Sequence, residues 1–270
     1  MSEVVQKTVA EGVAVLTLNR PDRLNAWTQD MERAYFGMLE ECAGSEDVRV
    51  IVVTGAGRGF CAGADMQELQ QLGESELESL PGVADRRAQT FPLSIPKPIL
   101  AAINGPCAGI GLVQALMCDL RFVAENAKLT TAFSRRGLVA EHGIAWILPR
   151  LVGPARALDL LLSGRVVLGD EALELGLVNR SLAPDRLLEE TLAYASELAT
   201  QCSPASMATM KRQVYADLER GLPDALANAD RLMVESFGAP DFVEGVASFV
   251  ERRDPSFAPL GSSFASLGVS

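Results

Sequence analysis

Two apolar runs that each end near a glycine constrain the fold of this chain most strongly. The run "VRVIVVTG" (48–55) is rich in β-branched side chains, and "KPILAAING" (97–105) repeats the pattern. Continuous apolar runs of this length are typical of strands buried on both faces of a parallel sheet. A helical pattern over 28–44 precedes the first run, and Thr28 is its predicted N-cap. Strands that alternate with helices predict an α/β fold with largely parallel pairing.

The two ends of the chain have different patterns. The segments 4–10 and 13–20 alternate in polarity around Glu-Gly and predict a hairpin, and "DLRFVAENAKL" predicts two further short strands. After residue 183 the chain carries four helical segments, most of them introduced by proline, at 184–201, 204–221, 223–238 and 240–255. We therefore predict three regions: an α/β body over 1–183, a helical region over 184–258 and a flexible tail over 259–270. The polar segment 73–90 is predicted to be a surface excursion.

Charge and cysteine content exclude several classes of function. The formal net charge is −11 over 270 residues, which argues against a nucleic-acid partner because phosphates require a basic face. No apolar run is long enough to span a membrane, and no secretory signal is recognisable. The five cysteines are odd in number and have no CxxC spacing, so they are interpreted as reduced thiols of a cytoplasmic protein.

Glycine-rich loops follow both buried strands. In "VTGAGRGFCAGAD" the third glycine of a dinucleotide fingerprint is replaced by Phe60, and no phosphate-loop motif occurs. The second loop lies in "INGPCAGIGLVQALMCD". The glycines serve either tight turns alone or two loops whose backbone amides together hold one ligand oxygen, as in an oxyanion hole. Asp65 is interpreted as a helix N-cap rather than a catalytic acid.

Seven collinear segments carry a family resemblance that runs from about residue 3 to 257. They are "NRPDRLNAW", "GFCAGADM", "KPILAAINGPCAGIGL", "MCDLRF", "GLVAEHGIAWILPRLVG", "LSGRVVLGDEALELGLVNR" and "DFVEGVASFVERRDPSF". Together they resemble the enoyl-CoA hydratase/isomerase (crotonase) superfamily. The resemblance implies a spiral of ββα units and a helical C-terminal region that builds homotrimers or dimers of trimers. It also implies an acyl-CoA substrate, with coenzyme A entering only as part of that substrate and no further cofactor or metal.

The resemblance also assigns residues to a site. The two oxyanion donors would be the amides of Ala64 and Ile110. The residues carried over to the coenzyme A site are Arg23, Leu24, Ala62, Asp65, Met66 and Gln67. Those expected to line an acyl pocket are Trp27, Val113, Phe133 and His142.

The catalytic carboxylates of the family's hydratases are replaced in this chain. In the same register the two glutamates fall on Val113 and Phe133, which cannot hold or ionise water. Hydration of an alkene needs a water deprotonated at C3 and a proton delivered at C2, so that mechanism lacks its usual groups here.

Glu141, in "GLVAEHG", is the candidate catalytic base. Monofunctional Δ3,Δ2-enoyl-CoA isomerases of the superfamily resemble the chain here, with one acid in a "GLVP[ED]" context. Migration of a double bond needs only one base. The alternative is that Glu141 stabilises a helix N-terminus through the helix dipole. His142, the only histidine of the chain, either orients Glu141, contacts the substrate, or is a local structural residue.

Three functions remain open from the sequence. The first is an enoyl-CoA double-bond isomerase with Glu141 as base. The second is an enoyl-CoA hydratase with an atypical active site, and the third is a non-catalytic acyl-CoA-binding homologue. Hydrolysis of a β-diketone-like substrate is a more distant fourth.

Overall fold

The computed structural model of the chain describes residues 3–68, 70 and 87–261. Its strands are β1 (Val5–Ala10), β2 (Val13–Leu18), β3 (Val50–Gly55), β4 (Ile99–Ile103), β5 (Cys107–Ala108), β6 (Leu120–Ala124), β7 (Lys128–Thr130), β8 (Val167–Leu168) and β9 (Arg180–Leu182). They form a larger sheet in the order β1-β2-β3-β4-β6-β9 and a smaller one in the order β5-β7-β8.

The larger sheet is parallel except at its first edge. β1 and β2 form the predicted antiparallel hairpin, and the two turn residues Glu11 and Gly12 both have positive φ, as a type I′ turn requires. The pairs β2–β3, β3–β4, β4–β6 and β6–β9 are all parallel. Every residue of β3 and β4 is buried, which explains why both strands appear in the sequence as unbroken apolar runs. The predicted α/β class is confirmed.

The helices enclose this sheet and continue beyond it. They are α1 (Gln29–Gly44), α2 (Ile110–Leu116), α3 (Ile144–Val152), α4 (Pro154–Ser163), α5 (Gly169–Leu175), α6 (Leu187–Gln201), α7 (Pro204–Asp217), α8 (Leu222–Phe237) and α9 (Pro240–Glu251). Short 3-10 turns lie at Pro21–Arg23, Phe91–Ser94 and Ser134–Arg136. Thr28 caps α1 as predicted, since its hydroxyl accepts a hydrogen bond from the amide of Met31 at 3.2 Å.

The helical segment predicted from residue 184 begins three residues later. Residues 184–186 form a tight turn in which the amides of Arg186 and Leu187 both donate to the carbonyl of Ala183, and α6 starts at Leu187. α6 then packs on β2, β3, β4 and β6, so the first helix after residue 183 covers the sheet. α7 is fastened to the same body by Lys211, whose ammonium donates to Asp119 at 2.7 Å.

Parts of two predictions lie outside the described residues. Of the polar segment 73–90 the structure describes only 87–90, and of the tail it describes residues up to 261. Within the described ranges, no helix is long and apolar enough to cross a membrane.

Candidate active site

The first glycine-rich loop is held in place by the backbone of Trp27. The amide of Trp27 donates to the carbonyl of Gly63 at 2.8 Å, and the amide of Asp65 donates to the carbonyl of Trp27 at 2.9 Å. This is a parallel β-bridge between Trp27 and Ala64 that uses the polar groups flanking Ala64. The amide of Ala64 itself therefore points away from Trp27, and it makes no hydrogen bond within the part of the chain that the structure describes.

The second loop leads directly into α2. Gly109 has φ +51° and precedes Ile110, the first residue of the helix. The first amides of an α-helix have no partner inside the helix, so the Ile110 N–H is available to a ligand. A hydrogen bond of 3.0 Å from the amide of Ala108 to the carbonyl of Cys61 joins this loop to the first. The two predicted oxyanion donors thus belong to loops in direct contact.

A cavity of about 280 Å³ opens beside these two loops. Its lining includes nine of the residues singled out from the sequence: Trp27, Ala62, Ala64, Asp65, Met66, Ile110, Phe133, Glu141 and His142. Trp27 and Phe133 are almost fully buried and supply aromatic wall, while the Ala64 and Ile110 loops supply the amides. The cavity is therefore apolar on one side and rich in backbone donors on another, as ligand pockets commonly are.

Glu141 and His142 lie on the loop between the 3-10 turn at Ser134–Arg136 and α3. Their side chains are partly exposed, and Glu141 Oε2 lies 3.6 Å from His142 Nε2, which is longer than a hydrogen bond. His142 has φ +60°, and this left-handed conformation costs a non-glycine residue about 1–2 kcal/mol. Both residues line the cavity.

Asp65 has both of its carboxylate oxygens engaged by the protein. Oδ2 accepts a hydrogen bond from the Arg20 guanidinium at 2.9 Å, and Oδ1 accepts one from the amide of Gln67 at 3.0 Å. The second bond is the N-cap predicted from the sequence, since residues 66–68 are helical. The Arg20 hydrogen bond lowers the pKa of Asp65, with a smaller contribution from the Gln67 amide, so the carboxylate stays ionised and holds the loop.

Four of the residues assigned from the sequence lie outside the cavity lining. Val113 is fully buried in the core, in contrast to the expectation that it would line an acyl pocket. Gln67 follows the lining residue Met66 and does not line the cavity itself. Arg23 and Leu24 lie on the neighbouring turn, where the Leu24 carbonyl accepts the amide of Ala62 at 3.0 Å.

Two charged residues line the cavity without having been assigned to it. Glu68 lies three residues after Asp65, and its Oε2 accepts the amide of Gln29 at 3.3 Å. Arg136 also lines the cavity. Asp65 and Glu68 are three residues apart, which places them on the same side of a helix. This spacing is the sequence signal from which Glu68 could have been predicted to lie near the cavity. Across the described ranges, no cluster of three or more His, Cys, Asp or Glu side chains could hold a metal ion.

Comparison with known proteins identifies the family. The family model described as enoyl-CoA hydratase/isomerase matches residues 8–259. The chain belongs to the enoyl-CoA hydratase/isomerase family. The resemblance found in the sequence is thereby confirmed, and the chain is an enzyme of this family.

Individual members of the enoyl-CoA hydratase/isomerase family show how far the likeness extends. A probable enoyl-CoA hydratase of Rhodobacter capsulatus is 36% identical over 258 residues, covering 94% of this chain and 97% of the relative. The 1,2-epoxyphenylacetyl-CoA isomerase of Escherichia coli is 33% identical over 266 residues, covering 95% and 99%. The crystal structure of a probable enoyl-CoA hydratase/isomerase from Mycobacterium abscessus superposes with a TM-score of 0.87 at 32% identity, covering 95% of this chain and 99% of that one. The crotonase-like fold is therefore confirmed along nearly the whole chain.

Proposed function

We propose that this enzyme moves a double bond in an enoyl-CoA thioester from the Δ3 to the Δ2 position, with Glu141 as the base. The observation that carries the proposal is the composition of the cavity: Glu141 lines the same cavity as Ala64 and Ile110, the residues of the two predicted oxyanion donors. The apolar residues Val113 and Phe133 occupy the positions where the hydratases that the chain resembles carry their glutamates.

The thioester oxygen would accept hydrogen bonds from the two amides. Glu141 then removes a proton from C2, the negative charge moves onto that oxygen as a dienolate, and the same carboxyl group returns the proton at C4. One base and two donors complete the cycle, and no water is consumed. Each oxyanion donor contributes about 3–4 kcal/mol to the transition state, and general base catalysis contributes about 10²–10⁴-fold.

No cofactor is needed in this scheme beyond the coenzyme A of the substrate, because the proton shift is redox-neutral. We expect activity to survive exhaustive dialysis against a metal chelator. A loss of activity that returns when a metal is added would contradict this part of the proposal.

The deciding experiment compares two Glu→Gln variants on 3-enoyl-CoA thioesters of several chain lengths. Formation of the conjugated 2-enoyl product is followed by absorbance. Glu141→Gln is expected to lower kcat by about 10²–10⁴-fold, since only the base is lost. Glu174→Gln, which removes the same charge from an exposed position on α5, is the matched control and should retain wild-type activity. Equal activity of the two variants would rule Glu141 out as the base.

Hydration by an unusual arrangement is the second candidate, because Glu68 is another carboxylate lining the cavity. Relatives described as probable hydratases also favour it. If the enzyme hydrates 2-enoyl-CoA, then Glu68→Gln and Glu141→Gln should both abolish water addition. If it isomerises, Glu68→Gln should leave the migration of the double bond largely intact.

We also propose a homotrimer, alone or as a dimer of trimers, built through the C-terminal helices. The support is a set of large apolar side chains that α8 and α9 expose to solvent: Leu222, Leu226, Val234, Val243, Phe249 and Val250. Exposed apolar surface of this extent is typical of a subunit interface. Light scattering should give a mass that is a multiple of three chains of 28.8 kDa, and Phe249→Glu should shift it towards the monomer. A monomeric wild-type protein would contradict the proposal.

A further inference from the structure

A buried chain of polar side chains runs between α1 and α2 behind the cavity wall. Trp27 Nε1 donates to Glu32 Oε2 at 3.3 Å, and Gln89 Nε2 donates to the same oxygen at 2.6 Å. Gln114 Nε2 donates in turn to Gln89 Oε1 at 2.7 Å. We call these four residues the Glu32 chain. Each of them is less than 9% exposed, so the interactions are shielded from water.

One end of the Glu32 chain controls the first glycine-rich loop. Trp27 lines the cavity, and its backbone makes both hydrogen bonds of the bridge to Ala64. The indole is wedged edge-on against Tyr35 and Phe36, with ring centroids 5.6 and 6.4 Å away. The ring has little freedom to rotate. A change in the hydrogen bond of its Nε1 therefore displaces the Trp27 backbone, and Ala64 moves with it through the bridge.

The other end belongs to the helix that follows the second loop. Gln114 lies four residues after Ile110 in α2, so the two side chains project from the same face of the helix. α2 has only seven residues, and all of them are buried. A lateral shift of Gln114 therefore moves the first turn of the helix, where the Ile110 amide lies.

We propose that Glu32 is a positioning residue that holds the amides of Ala64 and Ile110 at the separation needed to bind one carbonyl oxygen. This inference rests on the oxyanion hole of the proposed function. Glu32 acts by accepting the donors of Trp27 and Gln89 at one oxygen, and Gln89 carries the connection to Gln114. Loss of the acceptor leaves two buried donors that must turn to find other partners.

The consequence for the reaction is a loss in kcat without a matching change in substrate affinity. A displacement of about 1 Å at a catalytic group lowers the rate by about 100-fold, and a smaller shift lowers it less. We expect Glu32→Leu and Gln114→Leu to lower kcat by about 10- to 100-fold. KM should change little, because Glu32 and Gln114 do not line the cavity.

The test measures carbonyl polarisation rather than turnover. A 2-enoyl-CoA thioester with ¹³C at the carbonyl is bound to each protein in the Glu141→Gln background, and the infrared stretch of the bound carbonyl is recorded against free thioester. Hydrogen bonds donated to the carbonyl oxygen lower its stretching frequency. Glu32→Leu and Gln114→Leu are expected to lose at least half of the shift recorded for the parent protein, which carries Glu141→Gln alone.

Lys211→Met is the matched control. It breaks another buried polar contact, the ion pair with Asp119, whose residues do not line the cavity. We expect it to lower the melting temperature and to keep the full carbonyl shift. Circular dichroism checks that each variant is folded, and Gln114→Leu carries the test if Glu32→Leu does not fold.

The outcomes separate this inference from the proposed function. A full carbonyl shift in folded Glu32→Leu or Gln114→Leu would overturn the positioning role and leave the oxyanion hole intact. No shift in the parent protein would refute the oxyanion hole itself. A shift lost equally in Lys211→Met would show a general effect of destabilisation and also overturn the inference.

Discussion

Gly111, the second residue of α2, is a position where one added methyl group should disturb the site. A Cβ built there would lie 2.3 Å from the Cys61 carbonyl oxygen and 2.7 Å from the Cys61 Cβ. A carbon atom and an oxygen atom in contact are at least about 3.3 Å apart. The start of α2 must therefore move away from the first loop by about 1 Å. The oxygen that blocks the methyl group is backbone, and rotating a side chain would not relieve the clash.

The shift has a cost in stability and a larger cost in rate. Overpacking of this kind costs about 1–3 kcal/mol, and the better helix propensity of alanine offsets about 0.5–1 kcal/mol of it. For a chain of this size each kcal/mol lowers the melting temperature by about 2–4 °C. A displacement of about 1 Å between the loops of Ala64 and Ile110 should lower kcat by about 100-fold.

Gly37→Ala is the matched control for Gly111→Ala. Gly37 lies inside α1, and a Cβ built there meets nothing within 4 Å. It should therefore stabilise the protein by about 0.5–1 kcal/mol and leave activity unchanged. Thermal unfolding and the isomerase assay are run on both variants side by side. A Gly111→Ala protein as stable and as active as Gly37→Ala would refute the reasoning from loop separation.

Two further predictions follow from the titrating groups. Because the Arg20 hydrogen bond lowers the pKa of Asp65 below its ordinary 3.8, this carboxylate stabilises the fold at pH values above 3.8, and the contribution is lost as the pH falls through the lowered pKa. Urea unfolding should show the stability difference between wild type and Asp65→Asn shrinking at acidic pH, and a difference that stays constant would contradict the assignment. Burial raises the pKa of the Cys61 thiol to about 12, whereas Cys202 is only partly buried. Mass spectrometry after brief iodoacetamide treatment at neutral pH should find Cys202 alkylated before the four buried cysteines, and equal labelling of all five would contradict it.

Much of the fold was predictable because local chemistry and tertiary packing agree. β3 and β4 are unbroken apolar runs since both of their faces are covered, and Thr28 caps α1 with the hydroxyl that its residue type suggests. The start of α6 was predicted three residues early. The sequence pattern after residue 183 does not distinguish a turn that begins with proline from the first turn of a helix. In the structure two amides donate to the carbonyl of Ala183 and form the turn.

The placement of side chains around the cavity was less predictable. Val113 and Ile110 lie one turn apart on α2, yet only Ile110 lines the cavity, because which side of a short helix meets the core depends on what packs against it. Glu68 and Arg136 enter the cavity from two separate segments, and no spacing in the sequence relates them to each other.

The sequence by itself determined the family and the α/β class, and it predicted two glycine-rich loops and the carboxylate of Glu141 as candidate parts of a site. Only the tertiary structure decided that these groups face one cavity. The reason is that the contacts that bring them together, such as the Trp27–Ala64 bridge and the Ala108–Cys61 hydrogen bond, are made by backbone atoms. Apart from proline, every residue has the same backbone groups, so their pairing leaves no local mark in the sequence and is fixed by the packing of the whole chain.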